Sequence, residues 1–218
     1  MNILFLEPFY SGSHKTWLNQ LREKSTHNID LLTMEGKFWK WRMYGASVTM
    51  SSLLEDYTGR MDLIIASDMF DLSAFIALSR RRLAELGNPG IGLYFHENQL
   101  AYPWQENSED VAHKRDVHYG MVNYLSALSA DFIMFNSLYN RDTFIKEVKI
   151  ILEKMPDYKH LKSHDTINKI LDKSTILPIG FNQPADCITG LTPEFKCRFP
   201  KLDQALPLIL WNHRMEHD

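Results

Sequence analysis

Short apolar runs bounded by turn-forming residues alternate along the chain with longer stretches in which apolar side chains recur at helical spacing. Asn2 to Leu6 reads as a buried strand. Ser11-Gly12-Ser13 then turns into a helix over roughly Lys15 to Lys24, with Trp17, Leu18 and Leu21 facing inward. Ile29 to Met34 and Met61 to Ala66 are the next two strands, and a helix near Ser73 to Leu86 stops at the breaker cluster Gly87-Asn88-Pro89-Gly90. Ile91 to Phe95 is a strand and about His113 to Ser129 a helix. Asp131 to Phe135 follows as a strand, with Ser137 placed to cap a helix over Leu138 to Leu152. Ser174 to Ile179 supplies one more strand, and Leu208 to Trp211 begins a last.

Near-continuous apolar strands alternating with helices predict a parallel sheet covered on both faces, hence an α/β, doubly wound, Rossmann-like domain. The expected organisation is a domain over 1–183, a proline-bearing connector over 184–207, and over 208–218 the first strand of a second, truncated domain. The polar stretch Lys154 to Lys173 reads as an excursion with one short helix.

Composition narrows the class. With 218 residues, 44% of them hydrophobic and 23% charged, the chain is long enough to bury a substantial core. Its net charge of -3 means that any nucleic-acid contact must come from a local patch. The opening MNILFLEPFY reaches Glu7 too soon for a signal peptide, and no apolar run is long enough to span a membrane. Two separated cysteines, Cys187 and Cys197, fit a reducing compartment, so a cytoplasmic location is expected.

In doubly wound sheets ligands sit beyond the carboxyl ends of the strands, so residues at those positions carry the most information. After the first strand, Gly12, Ser13 and His14 could present backbone N–H groups to an anion, or simply form a tight turn. After the fourth come His96, Glu97, Asn98 and Gln99. Histidine can hold or move a proton near neutrality, and amides can bind sugar hydroxyls; local loop hydrogen bonds are the other account. After the fifth, Asn136 and Ser137 sit at a helix start, where an N-cap alone explains the serine. Lys37, Trp39, Lys40, Trp41 and Arg42 form the densest aromatic and basic run, suited to RNA bases or to locking a loop by packing. Lys114 and Arg115 could add to an RNA surface. No hydrolase, zincin, P-loop or zinc-ligand pattern occurs, and no Asp-x-Asp pair; Asp68 and Asp71 read as loop and helix-cap residues. No metal site is therefore expected. Glu35 would suit a dinucleotide ribose, but the glycine pattern of a nicotinamide enzyme is missing.

The stretches FYSGSHK, KFWKWR, LYFHENQLAYP, RDVHYG, FNSLYN, MPD and WNHRMEHD resemble, in order, the motifs of glycosyltransferase-like domain-containing proteins, a family that includes the tRNA-queuosine α-mannosyltransferases. The resemblance implies the acceptor-side half of a GT-B enzyme. Such an enzyme would move mannose from GDP-mannose to queuosine in tRNA with retention and without a metal, the nucleotide sugar being a substrate and not a cofactor. By the same resemblance Gly12 and Ser13 approach the donor phosphates or sugar, and His96 lies near the donor sugar with Glu97 positioning its loop. Arg214 meets the diphosphate from the second domain. Because the sequence stops at Asp218, the chain alone is expected to lack transferase activity.

Overall fold

The computed structural model describes residues 1–101, 116–156, 163–180 and 193–199. The chain divides into two compact units, 1–181 and 182–218. In the first, a six-stranded parallel sheet has the order β2-β1-β3-β4-β5-β6, the Rossmann-like arrangement that the alternating pattern predicts. Its strands are β1 (Asn2–Tyr10), β2 (Asn28–Glu35), β3 (Leu63–Ser67), β4 (Gly90–Phe95), β5 (Phe132–Phe135) and β6 (Ser174–Ile176). The intervening helices are α1 (Gly12–Lys24), α2 (Trp39–Glu55), α3 (Leu72–Leu78), α4 (Arg80–Glu85), α5 (Asp116–Ser129), α6 (Leu138–Lys154) and α7 (Ser163–Asp172). Of the second unit only a short helix, α8 (Pro193–Arg198), and Phe199 are described.

Alternation along the strands sends side chains to two cores. Leu4, Leu6, Ile64, Leu93, Phe95, Ile133 and Phe135 pack on one face against Ala46, Met50 and Leu54 of α2, Phe75 of α3, and Phe144 and Val148 of α6. On the other face Ile3, Phe5, Ile29, Tyr94 and Met134 meet Trp17 and Leu18 of α1. Both faces are thus helix-covered, which is why the central strands read as unbroken apolar runs.

Several boundaries differ from the expected ones. The first strand continues past Leu6 to Tyr10, so Glu7 lies within it. The expected helix over Ser73 to Leu86 is two helices meeting at Ser79, which is buried and bonds its hydroxyl to Ser51 Oγ of α2 at 2.9 Å. The aromatic and basic run does not lie on a long loop: from Trp39 it is the first part of α2, which the sequence pattern did not predict. Asp71 caps α3 through a 2.9 Å bond from the Ala74 N–H, and Ser137 caps α6 through a 3.1 Å bond from the Asn140 N–H. The expected strand over 208–211 and Arg214 lie outside the described residues, as do Lys114 and Arg115. Among the described residues no helix is long and apolar enough to cross a membrane.

Candidate active site

The carboxyl ends of β1, β3 and β4 are neighbours in the sheet, and their polar residues meet at one point. Glu7, fully buried on β1, accepts hydrogen bonds from three donors. Its Oε1 takes the Phe9 N–H at 2.8 Å and the Ser67 hydroxyl at 3.1 Å, and its Oε2 faces His14 Nδ1 at 3.1 Å. Three donors are what a carboxylate removed from water requires. His14, on the first turn of α1, lies with its ring centroid 4.2 Å from that of His96. The His96 ring is further held by the edges and faces of Trp17 and Tyr94, at 4.6 and 4.9 Å.

His14 reaches this position because Gly12 takes a left-handed φ of 49°, a conformation that costs glycine nothing and turns the chain sharply into α1. Ser11, the N-cap, makes no capping bond with its side chain. Gly36, just after β2, lies against Ser11: a Cβ there would meet the serine Oγ at 2.1 Å. The loops after β1 and β2 therefore touch.

The two histidines are in opposite electrostatic situations. Burial disfavours a charged His14, but its hydrogen bond to Glu7 and the carboxylate charge of Glu7 lead the opposing effects that outweigh it, and its pKa rises. Burial and the neighbouring His14 charge push His96 down to about 3, so it is neutral at ordinary pH. Its Nε2 stands 3.9 Å from Glu7 Oε2, too far for a hydrogen bond, and the neutral ring makes no ion pair with it. Among the described residues that buried nitrogen has no hydrogen-bond partner. The other such atom is Oδ2 of Asp68, in the loop after β3. Burial and the Glu97 charge raise the Asp68 pKa to about 8, so the group is protonated at neutrality. Its Oδ1 accepts the His96 backbone N–H at 3.1 Å.

A scaffold of amides fixes the loop after β4. Asn136 donates to the His96 carbonyl at 2.6 Å, and Asn140 donates to Asn136 Oδ1 at 3.0 Å. Asn98 donates to Asn140 Oδ1 at 2.7 Å and accepts the Ala101 N–H at 2.8 Å. The Gln99 N–H donates to Asn123 Oδ1 at 3.0 Å, its side chain donates to Glu97 at 2.9 Å, and Asn123 donates to the Asp68 carbonyl at 2.9 Å. Asn98 and Gln99 are buried and tied into the protein, whereas His14 and His96 converge beside Gly12 and Ser13.

Glu7, His14 and His96 also bring their ligand atoms within 4.8 Å of one another, a His₂–carboxylate set of a kind that zinc accepts. The bonds from His14, Ser67 and Phe9 already account for both Glu7 oxygens without an ion.

Two members of this cluster escaped sequence reasoning. Glu7 served there only to argue against a signal peptide, although a carboxylate within an apolar strand run is itself a signal. Asp68 is a loop residue, as read, but a buried one in the middle of the site.

Residues 2–181 match the family model described as tRNA-queuosine alpha-mannosyltransferase N-terminal. A Drosophila melanogaster protein named tRNA-queuosine alpha-mannosyltransferase is 34% identical over 224 aligned residues; the alignment covers 100% of this chain and 54% of that protein. The chain thus spans about half the length of this relative. It belongs to the tRNA-queuosine α-mannosyltransferase family, within the family's N-terminal domain.

Proposed function

We propose that this chain is the acceptor-side half of a retaining, metal-independent GT-B glycosyltransferase that moves mannose from GDP-mannose to queuosine in tRNA. The observation that carries the reading is the buried Nε2 of a neutral His96, without a hydrogen-bond partner among the described residues, beside a His14 whose pKa is raised, at the rim where a doubly wound sheet takes its ligands. A neutral imidazole nitrogen shielded from water suits a sugar hydroxyl, to which it can donate or accept one hydrogen bond. His14, whose pKa is raised, and the first turn of α1 suit the anionic diphosphate that departs.

In this account the acceptor hydroxyl attacks the anomeric carbon on the face from which the nucleotide leaves. The new carbon–oxygen bond forms as the bond to the diphosphate oxygen breaks, and the acceptor's proton passes to that departing oxygen. No covalent nucleophile from this domain is needed. Gly12, Ser13, His14 and His96 line the donor side, with Glu97, the amides of Asn98, Gln99 and Asn136, and the Ser137 hydroxyl positioning the loops. Arg214 is proposed to meet the diphosphate from the second domain. Holding donor and acceptor together is worth ~7–11 kcal/mol of barrier, so half of such an enzyme would not transfer.

The test is transfer by the full-length protein to queuosine-containing tRNA, read by mass spectrometry of the nucleosides. His96→Ala is expected to lower kcat/KM by about 100-fold or more. Wild-type turnover in that variant removes His96 from the mechanism.

A further inference from the structure

The run from Lys37 to Tyr44 divides in a way the sequence did not reveal. Trp39 turns inward: its ring centroid lies 5.1 Å from that of Tyr119, in a small core with Met43 and Val122. Phe38 and Trp41 turn outward, 74% and 73% exposed, and Tyr44, 47% exposed, leans across to α5 with its ring centroid 5.3 Å from that of Tyr119. Trp41 and Tyr44 are three residues apart on α2, one step of about 4.5 Å along its axis, and Phe38 stands just before them as the N-cap. Tyr44 is stacked on His118 of α5, ring centroids 4.7 Å apart and planes 26° apart, which fixes the inner end of the row.

Phe38 is held there against its own preference. It has a φ of 55° and a ψ of 54°, the left-handed conformation that a bulky residue rarely adopts, and it caps α2 without a side-chain bond. Its carbonyl accepts the Trp41 and Arg42 N–H groups at 2.8 and 3.1 Å, which starts α2, while its ring gains no burial. A strained residue that holds an aromatic ring out in solvent points to a ligand for that ring.

Charge and position select the ligand. Lys37, Lys40 and Arg42 lie within the run, in a chain whose net charge is -3; Lys37 pairs with Glu35, just before the run, at 2.6 Å. Arg42 grips the Glu35 carbonyl through Nε and Nη2 at 3.2 and 2.9 Å, so it pins the start of the run to the end of β2. Gly36, two residues before Phe38, is the residue that lies against Ser11. The aromatic row therefore begins beside the loop that presents Gly12 and His14.

We infer that Phe38, Trp41 and Tyr44 form a stacking platform for unpaired nucleobases of the RNA that carries the acceptor. The inference rests on the proposed function for the identity of the acceptor but stands on its own surface. Planar side chains flanked by cations recognise single-stranded RNA by stacking bases and attracting phosphates, whereas a duplex keeps its base faces hidden.

The experiment measures binding of a fluorescent anticodon stem–loop RNA, and of a blunt RNA duplex of equal length, to the 218-residue chain at low salt. The stem–loop is expected to bind more tightly than the duplex. Trp41→Ala and Phe38→Ala should each weaken stem–loop binding by roughly 5- to 100-fold, while Trp41→Tyr keeps most of the affinity. Because both side chains are exposed, the thermal midpoint of Trp41→Ala should stay at the wild-type value, which separates lost stacking from lost folding. Equal binding of stem–loop and duplex, an unaltered affinity in Trp41→Ala, or binding of neither RNA would overturn the platform. Loss of transfer in His96→Ala alongside unaltered RNA affinity in Trp41→Ala would sink the platform alone. Intact platform binding with wild-type transfer by His96→Ala would sink the donor-site reading alone.

Discussion

The cluster around Glu7 and the aromatic row on α2 adjoin at the same end of the sheet, yet they are built on opposite principles. In the cluster the polar groups are largely buried and gathered around Glu7, and two of them, Asp68 and His96, are pushed far from their ordinary titration. In the row the aromatic groups are exposed: Phe38 is strained, Trp41 stands out in solvent, and Tyr44 stacks on His118. Buried polarity is fixed before any ligand arrives, which suits a site that must hold a sugar in one geometry. Exposed aromatic faces accept any base that presents its own face, which suits a partner held by shape. The difference teaches that the two surfaces should respond to substitution in opposite directions: stability should fall in the first and hold or rise in the second.

The largest effect is expected at Glu7. Glu7→Ala leaves the Ser67 hydroxyl, the Phe9 N–H and His14 without their acceptor, in a site where none of them reaches bulk water easily. Removing one partner of a buried pair typically costs about 3–5 kcal/mol, so urea unfolding should show a loss of that order. A loss below about 1 kcal/mol would mean that the cluster is not the fixed unit described here.

Asp68 should give a smaller, pH-dependent effect of defined sign. Its folded pKa, about 8, lies above the unfolded value of 3.8, so between these limits the folded protein binds the extra proton. Its contribution is therefore favourable at the acid end of that window and is lost as pH rises through about 8. Asp68→Asn keeps an acceptor for the His96 N–H but cannot ionise. Denaturation across the window should show the variant gaining on the wild type as pH rises, by on the order of a few kcal/mol at the alkaline end. Parallel curves would show that the carboxyl is not held protonated.

In the row the smallest effect has the opposite sign. Phe38→Gly relieves the left-handed strain and removes a mostly exposed ring, so thermal unfolding should show stabilisation of roughly 0.5 kcal/mol. Destabilisation beyond about 1 kcal/mol would mean that the ring packs in a way its exposure contradicts.

The contrast also explains what the sequence disclosed. The parallel sheet was legible because its central strands are apolar on both faces, and each run announced itself. His96 and His14 were legible because a strand-end position carries meaning in this architecture. The same rule applied to the strand Leu63–Ser67 would have picked out Asp68, whose type alone looked like an ordinary loop acid. Glu7 was hidden because the strand looked finished at Leu6; Phe9 and Tyr10, beyond the proline, belong to it as well. Helix α2 was obscured by its own surface. Its buried stripe, Met43, Ala46, Ser47, Met50 and Leu54, has helical period, but exposed Trp41, Tyr44 and Val48 blur the boundary between faces. Which tryptophan faced inward depended on Tyr119 and Val122 of a distant helix, and no local pattern encodes that.

At the centre of the cluster Glu7 raises the pKa of His14, beside a His96 that stays neutral. Histidine nitrogen shifts followed by NMR from about pH 5 to 8 test this directly, in the wild type and in Glu7→Gln. One resonance pair, assigned to His14, should remain protonated above the ordinary histidine range and drop below it in Glu7→Gln, while His96 stays neutral throughout. If both imidazoles titrate together near 6.5, and Glu7→Gln changes neither, the central claim is wrong.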